Sequence, residues 1–314
     1  EKLIIDKINK KGIIDVCEFI QICQFENDGY YLRKNPIGKK NDFITAPEIS
    51  QMFGEVLSAF LINYWENKIK KKFNLIELGP GKGTLTLDIL RITNSLETFR
   101  NKFDLYLIEI NNYLKKIQKK SIKKSYFDIN KIKWYSNLKQ IKSYSSIIYA
   151  NEFFDCFPVK QFIKINNFWN EKKVSFNKKE NKFIIKNYKI EDKSLQKKLD
   201  KYIKKYFYEK NSIIELSESR EKYFKELCRI IKQNKGFIII FDYGYENSLN
   251  YSSLQSIKYH KYTNILDNPG QQDISSFVNF TRLKEIAVKE RLEISYFDTQ
   301  KNFLISNVII QRKE

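Results

Sequence analysis

From about residue 74 onward, short apolar runs alternate with stretches whose apolar positions recur every three to four residues. Residues 74–78, 104–110, 131–135, 146–151 and 236–242 have the length and the β-branched and aromatic content of strands, and residues 292–298 and 303–310 predict two more. Strands separated by helices need crossover connections, so the pattern predicts an α/β fold with a parallel, doubly wound, Rossmann-like sheet. Two segments break the alternation. Residues 159–190 are rich in Phe, Val and Ile with polar breaks at Asn166-Asn167 and 177–180, which predicts an antiparallel β meander inserted after the fourth strand. Residues 245–273 form a long, turn-rich stretch, and loops of that length in compact domains are commonly functional. Ahead of the core, residues 50–70 keep a helical period through Met52, Val56, Leu57, Phe60, Leu61 and Tyr64, after a helix entry at Thr45-Ala46-Pro47-Glu48. The expected organisation is a helical N-terminal cap over residues 1–70 and a core over 71–314 carrying the insertions at 159–190 and 245–273.

Composition narrows the class. With 42% hydrophobic and 15% aromatic residues in 314, the chain buries a sizeable core. A net charge of +20 raises nucleic acid as a partner, but only eight of the 57 basic residues are Arg and the lysines are dispersed, the pattern of a solvated surface. Four cysteines without a C-x-x-C pair and a single His argue against a metal site. No long apolar run predicts membrane insertion, and the cysteine pattern fits a reducing compartment. The chain starts at Glu1 rather than Met, which leaves room for a preceding segment.

The most informative stretch is Glu77-Leu78-Gly79-Pro80-Gly81-Lys82-Gly83, between a strand and the apolar-periodic helix that starts at Thr84. Gly79, Gly81 and Gly83 let the backbone turn tightly and approach a ligand. A dinucleotide fingerprint needs a sixth-position Gly where Thr84 stands, and the G-x-x-x-x-G-K-[ST] phosphate loop is absent. An acid at Glu77 repels pyrophosphate and suits the cationic ammonium of S-adenosyl-L-methionine. Glu109, at the end of the second strand, is placed to accept hydrogen bonds from two ribose hydroxyls.

Several separated motifs then carry a resemblance across nearly the whole chain. These are the run from Asp42 through Thr45 and Glu48 to Glu55, the 77–83 loop, Ala150-Asn151-Glu152-Phe153-Phe154-Asp155, Asp242-Tyr243-Gly244, and His260 followed by Asn268-Pro269-Gly270-Gln271-Gln272-Asp273. Together they resemble the MidA-like methyltransferases, class I S-adenosylmethionine-dependent enzymes whose mitochondrial member is a complex I assembly factor that methylates protein arginine. Asn41 and Asn279 depart from that family's pattern, which has Gly and Asp there.

The resemblance implies S-adenosyl-L-methionine held by Glu77, Gly79, Gly81, Gly83, Glu109 and Asn151. It implies a protein substrate, an arginine on a large hydrophilic complex I subunit or its bacterial counterpart, and a location in the cytoplasm of a bacterium or the matrix of a mitochondrion. Independently, Glu152 and Asp155 follow the carboxyl end of a central strand, where doubly wound sheets hold their chemistry. A guanidinium has fixed planar donors, and a carboxylate grip at Glu152 and Asp155 would orient it for methyl transfer. Capping is the competing role for Asp155. Asp42, Thr45, Glu48, Tyr243 and His260 are substrate-side candidates, with a capping box competing at Thr45 and Glu48. The rival functions are an NAD-type oxidoreductase, a non-catalytic assembly chaperone and an RNA methyltransferase.

Overall fold

The computed structural model describes residues 1–33, 48, 50–125, 127–141, 144–209 and 211–311, with side chains to residue 307. Along the chain come helices α1 (Lys2–Lys11), α2 (Val16–Phe25) and α3 (Gln51–Tyr64), the last continued by a π-helical turn over Trp65–Ile69. Strands and helices then alternate through β1 (Phe73–Leu78), α4 (Thr84–Thr93), β2 (Phe103–Ile108), α5 (Asn112–Ile122), β3 (Ile132–Tyr135) and β4 (Ser145–Asn151). After them follow β5 (Lys160–Ile165), β6 (Phe168–Asn177), β7 (Lys182–Lys189), α6 (Lys193–Tyr206), β8 (Ile213–Leu216), α7 (Glu218–Asn234) and β9 (Gly236–Phe241). The chain closes with β10 (Gln255–Lys258), β11 (Lys261–Thr263), β12 (Asp273–Ser275), α8 (Phe280–Lys289) and α9 (Gln300–Gln311).

These elements form two compact units. One comprises Arg33–Phe153, Lys225–Phe241 and Ala287–Glu314. Its sheet has the order β9-β4-β1-β2-β3 with every pairing parallel. All six residues of the central β1 are buried, the mark of a strand covered on both faces. Its polar Asn74 is partnered by Ser146 Oγ at 3.2 Å. Leu57 and Leu61 of α3 and Leu85 and Ile89 of α4 pack with Leu75, Leu105, Ile147 and Phe241 of the sheet. Ser50 caps α3 by accepting from the Met52 N–H. Gly236 opens β9 at φ +125°, where a Cβ would lie 1.9 Å from the Ser146 carbonyl oxygen, so only glycine lets β9 begin beside β4.

The end of the chain departs from expectation. Residues 292–298 have no regular structure, and 303–310 lie in α9 rather than in a strand. An apolar run that short does not separate strand from buried helix, and capping decides it here. Thr299 Oγ1 accepts from the Asn302 N–H at 3.2 Å, while Asp298 Oδ1 accepts from the Thr299 N–H at 2.7 Å. Phe303 is then buried against Phe60 and Phe241, with ring centroids 5.4 and 5.0 Å away.

The second unit comprises Glu1–Leu32, Phe154–Phe224 and Asp242–Ile286. Strands β5, β6 and β7 form the expected antiparallel meander, flanked by β8 on β5 and by residues Ile14–Asp15 on β6. Asn166 and Asn167 make the β5–β6 turn at φ +48° and +66°, a left-handed pair that Asn tolerates. Helices α1 and α2 supply Ile4, Ile8, Phe19 and Ile20 to a core shared with Val174 and Phe183. The long stretch after β9 is not structureless, since β10 pairs antiparallel with both β11 and β12.

Candidate active site

Three adjacent parallel strands end side by side at the glycine loop, at Glu109 and at Asn151-Glu152. The loop leaves β1 through Gly79 at φ +59° and Gly81 at φ +56°, and reaches α4 through Gly83 at φ +83°. Its turn is closed by the Gly83 N–H donating to the Pro80 carbonyl at 2.7 Å, and it is tied to the next strand by the Gly79 N–H on the Ile108 carbonyl at 3.0 Å. A Cβ on Gly79 would lie 2.7 Å from the Phe153 ring, so the cradle has no room for a side chain there. The first backbone amides of α4 face the loop, a place suited to a carboxylate.

Glu77 is sealed beneath this loop. Its Oε2 accepts from the hydroxyls of Thr86, in the first turn of α4, and Tyr149, on β4, the latter at 3.1 Å. Burial pushes the Glu77 carboxyl up to about 7 against those two bonds, with the neighbouring Glu109 adding to the rise. Glu109 is also buried and is likewise raised to about 7 by desolvation, offset by the hydrogen bonds it accepts. Its Oε1 accepts from the Asn111 N–H at 2.8 Å and its Oε2 from Gln118 Nε2 at 3.3 Å. Two oxygens so anchored still have acceptor capacity for ligand hydroxyls.

Asn151 ends β4. Its Nδ2 lies 3.4 Å from Glu152 Oε1, while its Oδ1 is buried with no hydrogen-bond partner among the described residues. Glu152 sits at φ +49°, a left-handed conformation uncommon for a non-glycine residue, and its N–H donates to the Phe241 carbonyl of β9 at 2.8 Å. Glu48 is brought to the loop as well, with Oε1 3.6 Å from Lys82 Nζ and Oε2 buried without a hydrogen-bond partner among the described residues. Asp42 and Thr45 lie outside the described residues.

The other three candidates belong to the antiparallel unit. Asp155 is half-buried; desolvation raises its pKa, and the Arg220 guanidinium and the backbone N–H groups of Asp155 and Cys156 draw it back. Arg220 donates to the carbonyls of Phe154 at 2.8 Å and Phe277 at 3.0 Å and to Ser276 Oγ at 2.8 Å. Tyr243 is 56% exposed, and its N–H donates to Asp242 Oδ1 at 3.0 Å. His260 lies at the tip of the β10–β11 hairpin, exposed and at φ +60°. The structure thus gathers Glu48, Glu77, Gly79, Gly81, Gly83, Glu109, Asn151 and Glu152 in one unit and leaves Asp155, Tyr243 and His260 in the other.

Sequence reasoning missed Thr86, Tyr149, Gln118 and Trp134, which hold the two buried acids or the loop. Gln118 alone left a signal. It falls with Leu114 and Ile122 on the buried stripe of a Lys-rich helix, where an amide needs a reason. Among the described residues, no group of three or more His, Cys, Asp and Glu is placed to hold a metal ion, and no helix is long and apolar enough to cross a membrane.

Residues 56–297 match the model of a family described as "Putative S-adenosyl-L-methionine-dependent methyltransferase". The Caenorhabditis elegans protein arginine methyltransferase NDUFAF7 homolog, mitochondrial, is 30% identical over 97% of this chain and 75% of its own length. The human protein arginine methyltransferase NDUFAF7, mitochondrial, is 29% identical over 90% of this chain and 67% of its own length. A Burkholderia thailandensis protein crystallised with S-adenosyl-homocysteine shares the fold, with a TM-score of 0.83 at 18% identity, covering 98% of this chain and 80% of that one.

Proposed function

Because the chain belongs to this family of S-adenosyl-L-methionine-dependent methyltransferases, we propose that it methylates an arginine side chain of a protein substrate, with the cofactor held at the carboxyl edge of the parallel sheet. The observation that carries the reading is the convergence of the glycine loop, Glu109 and Asn151-Glu152 at the ends of β1, β2 and β4. The residues present fit the cofactor. The Gly79 cradle is one a Cβ would fill, Glu109 is anchored with acceptor capacity to spare, and Asn151 Oδ1 is a buried acceptor in want of a donor.

When bound, S-adenosyl-L-methionine supplies an electrophilic methyl group on a sulfonium that leaves as a thioether. The chain's part is positioning, which dominates an in-line displacement. The side-chain-free loop would let its backbone come close to the cofactor, Glu109 would accept from the ribose hydroxyls, and Asn151 Oδ1 would accept from an N–H of the ligand. Glu152 would grip the guanidinium of the acceptor, turn one nitrogen toward the methyl and take the proton that nitrogen releases as its bond to the methyl forms, and the planar fork of an arginine suits that grip. We assign Asp155 to the scaffold, since it lies in the other unit and its carboxyl is under the influence of the Arg220 guanidinium. The substrate we propose is a hydrophilic subunit of respiratory complex I or its bacterial counterpart, met during assembly, in the mitochondrial matrix of a eukaryote or the cytoplasm of a bacterium.

The test is titration of the protein with S-adenosyl-homocysteine, followed by mass spectrometry of candidate substrates incubated with the enzyme, S-adenosyl-L-methionine labelled on its methyl, and Glu152→Gln as comparison. Methylarginine formed by the wild type and lost in the variant, with ligand binding retained in both, supports the reading. Absence of ligand binding overturns the cofactor site, and a labelled acceptor other than arginine overturns the substrate.

A further inference from the structure

One buried side chain touches both halves of the cofactor cradle. Gln118, on α5, donates from Nε2 to the Gly81 carbonyl at 2.7 Å and to Glu109 Oε2 at 3.3 Å. Its Oε1 accepts from the Trp134 indole N–H at 2.9 Å, offered from β3. Its Cγ lies 3.3 Å from where a Cβ of Gly83 would stand, so the side chain also packs under the far end of the loop. The amide is therefore fully oriented. The indole supplies a donor that only the amide oxygen can meet, and a flipped amide would set N–H against N–H at Trp134 and oxygen against oxygen at Gly81 and Glu109.

We propose that Gln118, oriented by Trp134, is a positioning residue that locks the glycine loop and the ribose-binding carboxylate at a fixed separation, so that cofactor affinity depends on it. This rests on the cofactor reading given above. The chemistry requires an amide. A carboxylate at 118 would face the Gly81 carbonyl and the Glu109 carboxylate, and a thioether of similar length would leave the Gly81 carbonyl, Glu109 Oε2 and the Trp134 N–H without their partner. Glu109 would then lose the anchor on its Oε2, while Gly81 would be released from α5. The residue sits under the cradle rather than in it, so its loss acts on binding and leaves the transfer step of the bound complex alone.

The experiment measures the affinity of the full chain for S-adenosyl-homocysteine by calorimetry in the wild type, Gln118→Met, Gln118→Glu and Trp134→Phe, with thermal unfolding of each. A hydrogen bond to a charged group is worth about 1.5–3 kcal/mol, so Gln118→Met is expected to weaken binding by about tenfold to a hundredfold. Gln118→Glu should weaken it at least as much, and Trp134→Phe, which keeps a ring and loses the N–H, by less than Gln118→Met. In turnover assays the loss should appear in the KM for S-adenosyl-L-methionine, with kcat held within about threefold. The double variant Gln118→Met with Glu109→Gln should lose less than the sum of the two single losses, because both act on one anchor. Binding within twofold of wild type in folded Gln118→Met and Gln118→Glu overturns the inference while leaving the cofactor reading standing. A loss confined to kcat overturns it also, and a wild type that binds no S-adenosyl-homocysteine removes both.

Discussion

Replacing Glu77 by Gln keeps the shape of the side chain and removes its charge. Burial raises the Glu77 carboxyl from 4.5 to about 7, so the folded state holds a proton that the unfolded chain has released between those values. Stability therefore falls as pH rises through that window and is flat above it, the sign opposite to that of a salt-bridged acid. At about 1.4 kcal/mol per unit, the loss from Glu77 is about 3 kcal/mol between pH 4.5 and pH 7. Glu109 carries a similar shift, but it is present in both proteins and largely cancels in their comparison. The carbonyl oxygen of the substituted amide can still accept from Thr86 and Tyr149, as that of the protonated carboxyl does, so the substitution costs little at pH 5. Glu77→Gln is expected to match or fall slightly below the wild type at pH 5 and to exceed it at pH 8. The gap in Tm should widen by on the order of 5 °C, measured by scanning calorimetry at half-unit pH steps. Parallel profiles, with the gap constant to within about 1 °C, would refute the claim that Glu77 is a desolvated acid.

Other perturbations read other parts of the molecule. Gly79→Ala combines a left-handed backbone at φ +59° with a Cβ 2.7 Å from the Phe153 ring; it should cost about 1–2 kcal/mol and weaken S-adenosyl-homocysteine binding about tenfold, and unchanged urea midpoints and titrations would count against the cradle. Arg220→Met strips buried carbonyls of Phe154 and Phe277 and leaves Asp155 without its cation, which should cost about 3–5 kcal/mol. With Arg220 gone the Asp155 carboxyl rises further, so that deficit should be larger at pH 8 than at pH 5 in denaturant titrations; a deficit that shrinks over that range would refute the pairing. Asn167→Gly relaxes a residue held at φ +66° and should raise stability by about 0.5 kcal/mol, read as a small rise in Tm, whereas a fall would show that the Asn side chain matters more than its backbone.

The sheet was legible because its strands are short apolar runs separated by helices, with the central ones buried on both faces, which leaves few other arrangements. The meander was legible because Asn166-Asn167 punctuates two β-rich runs. The chain end was not, since the run from Phe303 reads equally as strand or helix and the deciding bonds are local caps at Asp298 and Thr299. Strand β8 escaped notice because its four residues show no alternation long enough to read. Within the site, glycines and terminal acids announced themselves by type and position. What holds them did not, because Gln118 and Trp134 lie on separate elements that only the fold brings to Glu109. Asp155 illustrates the converse. Its place after a central strand suits chemistry, while the Arg220 guanidinium that lowers its pKa lies 65 residues further along the chain, beyond the reach of sequence reasoning.

In the parallel unit the strands are apolar and paired, yet at the carboxyl ends of β1, β2 and β4 stand two buried acids raised to about 7, a glutamate at φ +49° and a buried amide oxygen with no partner among the described residues. Each is destabilising by itself, of order 1–3 kcal/mol, and selection for stability alone would replace them. The Arg220 guanidinium of the antiparallel unit is just as buried and is charged, but its donors meet backbone carbonyls and the Ser276 hydroxyl, so folding itself accounts for it. A satisfied network needs no ligand to explain it. The carboxyl edge differs, since Glu109 keeps acceptor capacity for hydroxyls and Asn151 Oδ1 lacks a donor among the described residues, and the proposed placement of the cofactor rests on those two features.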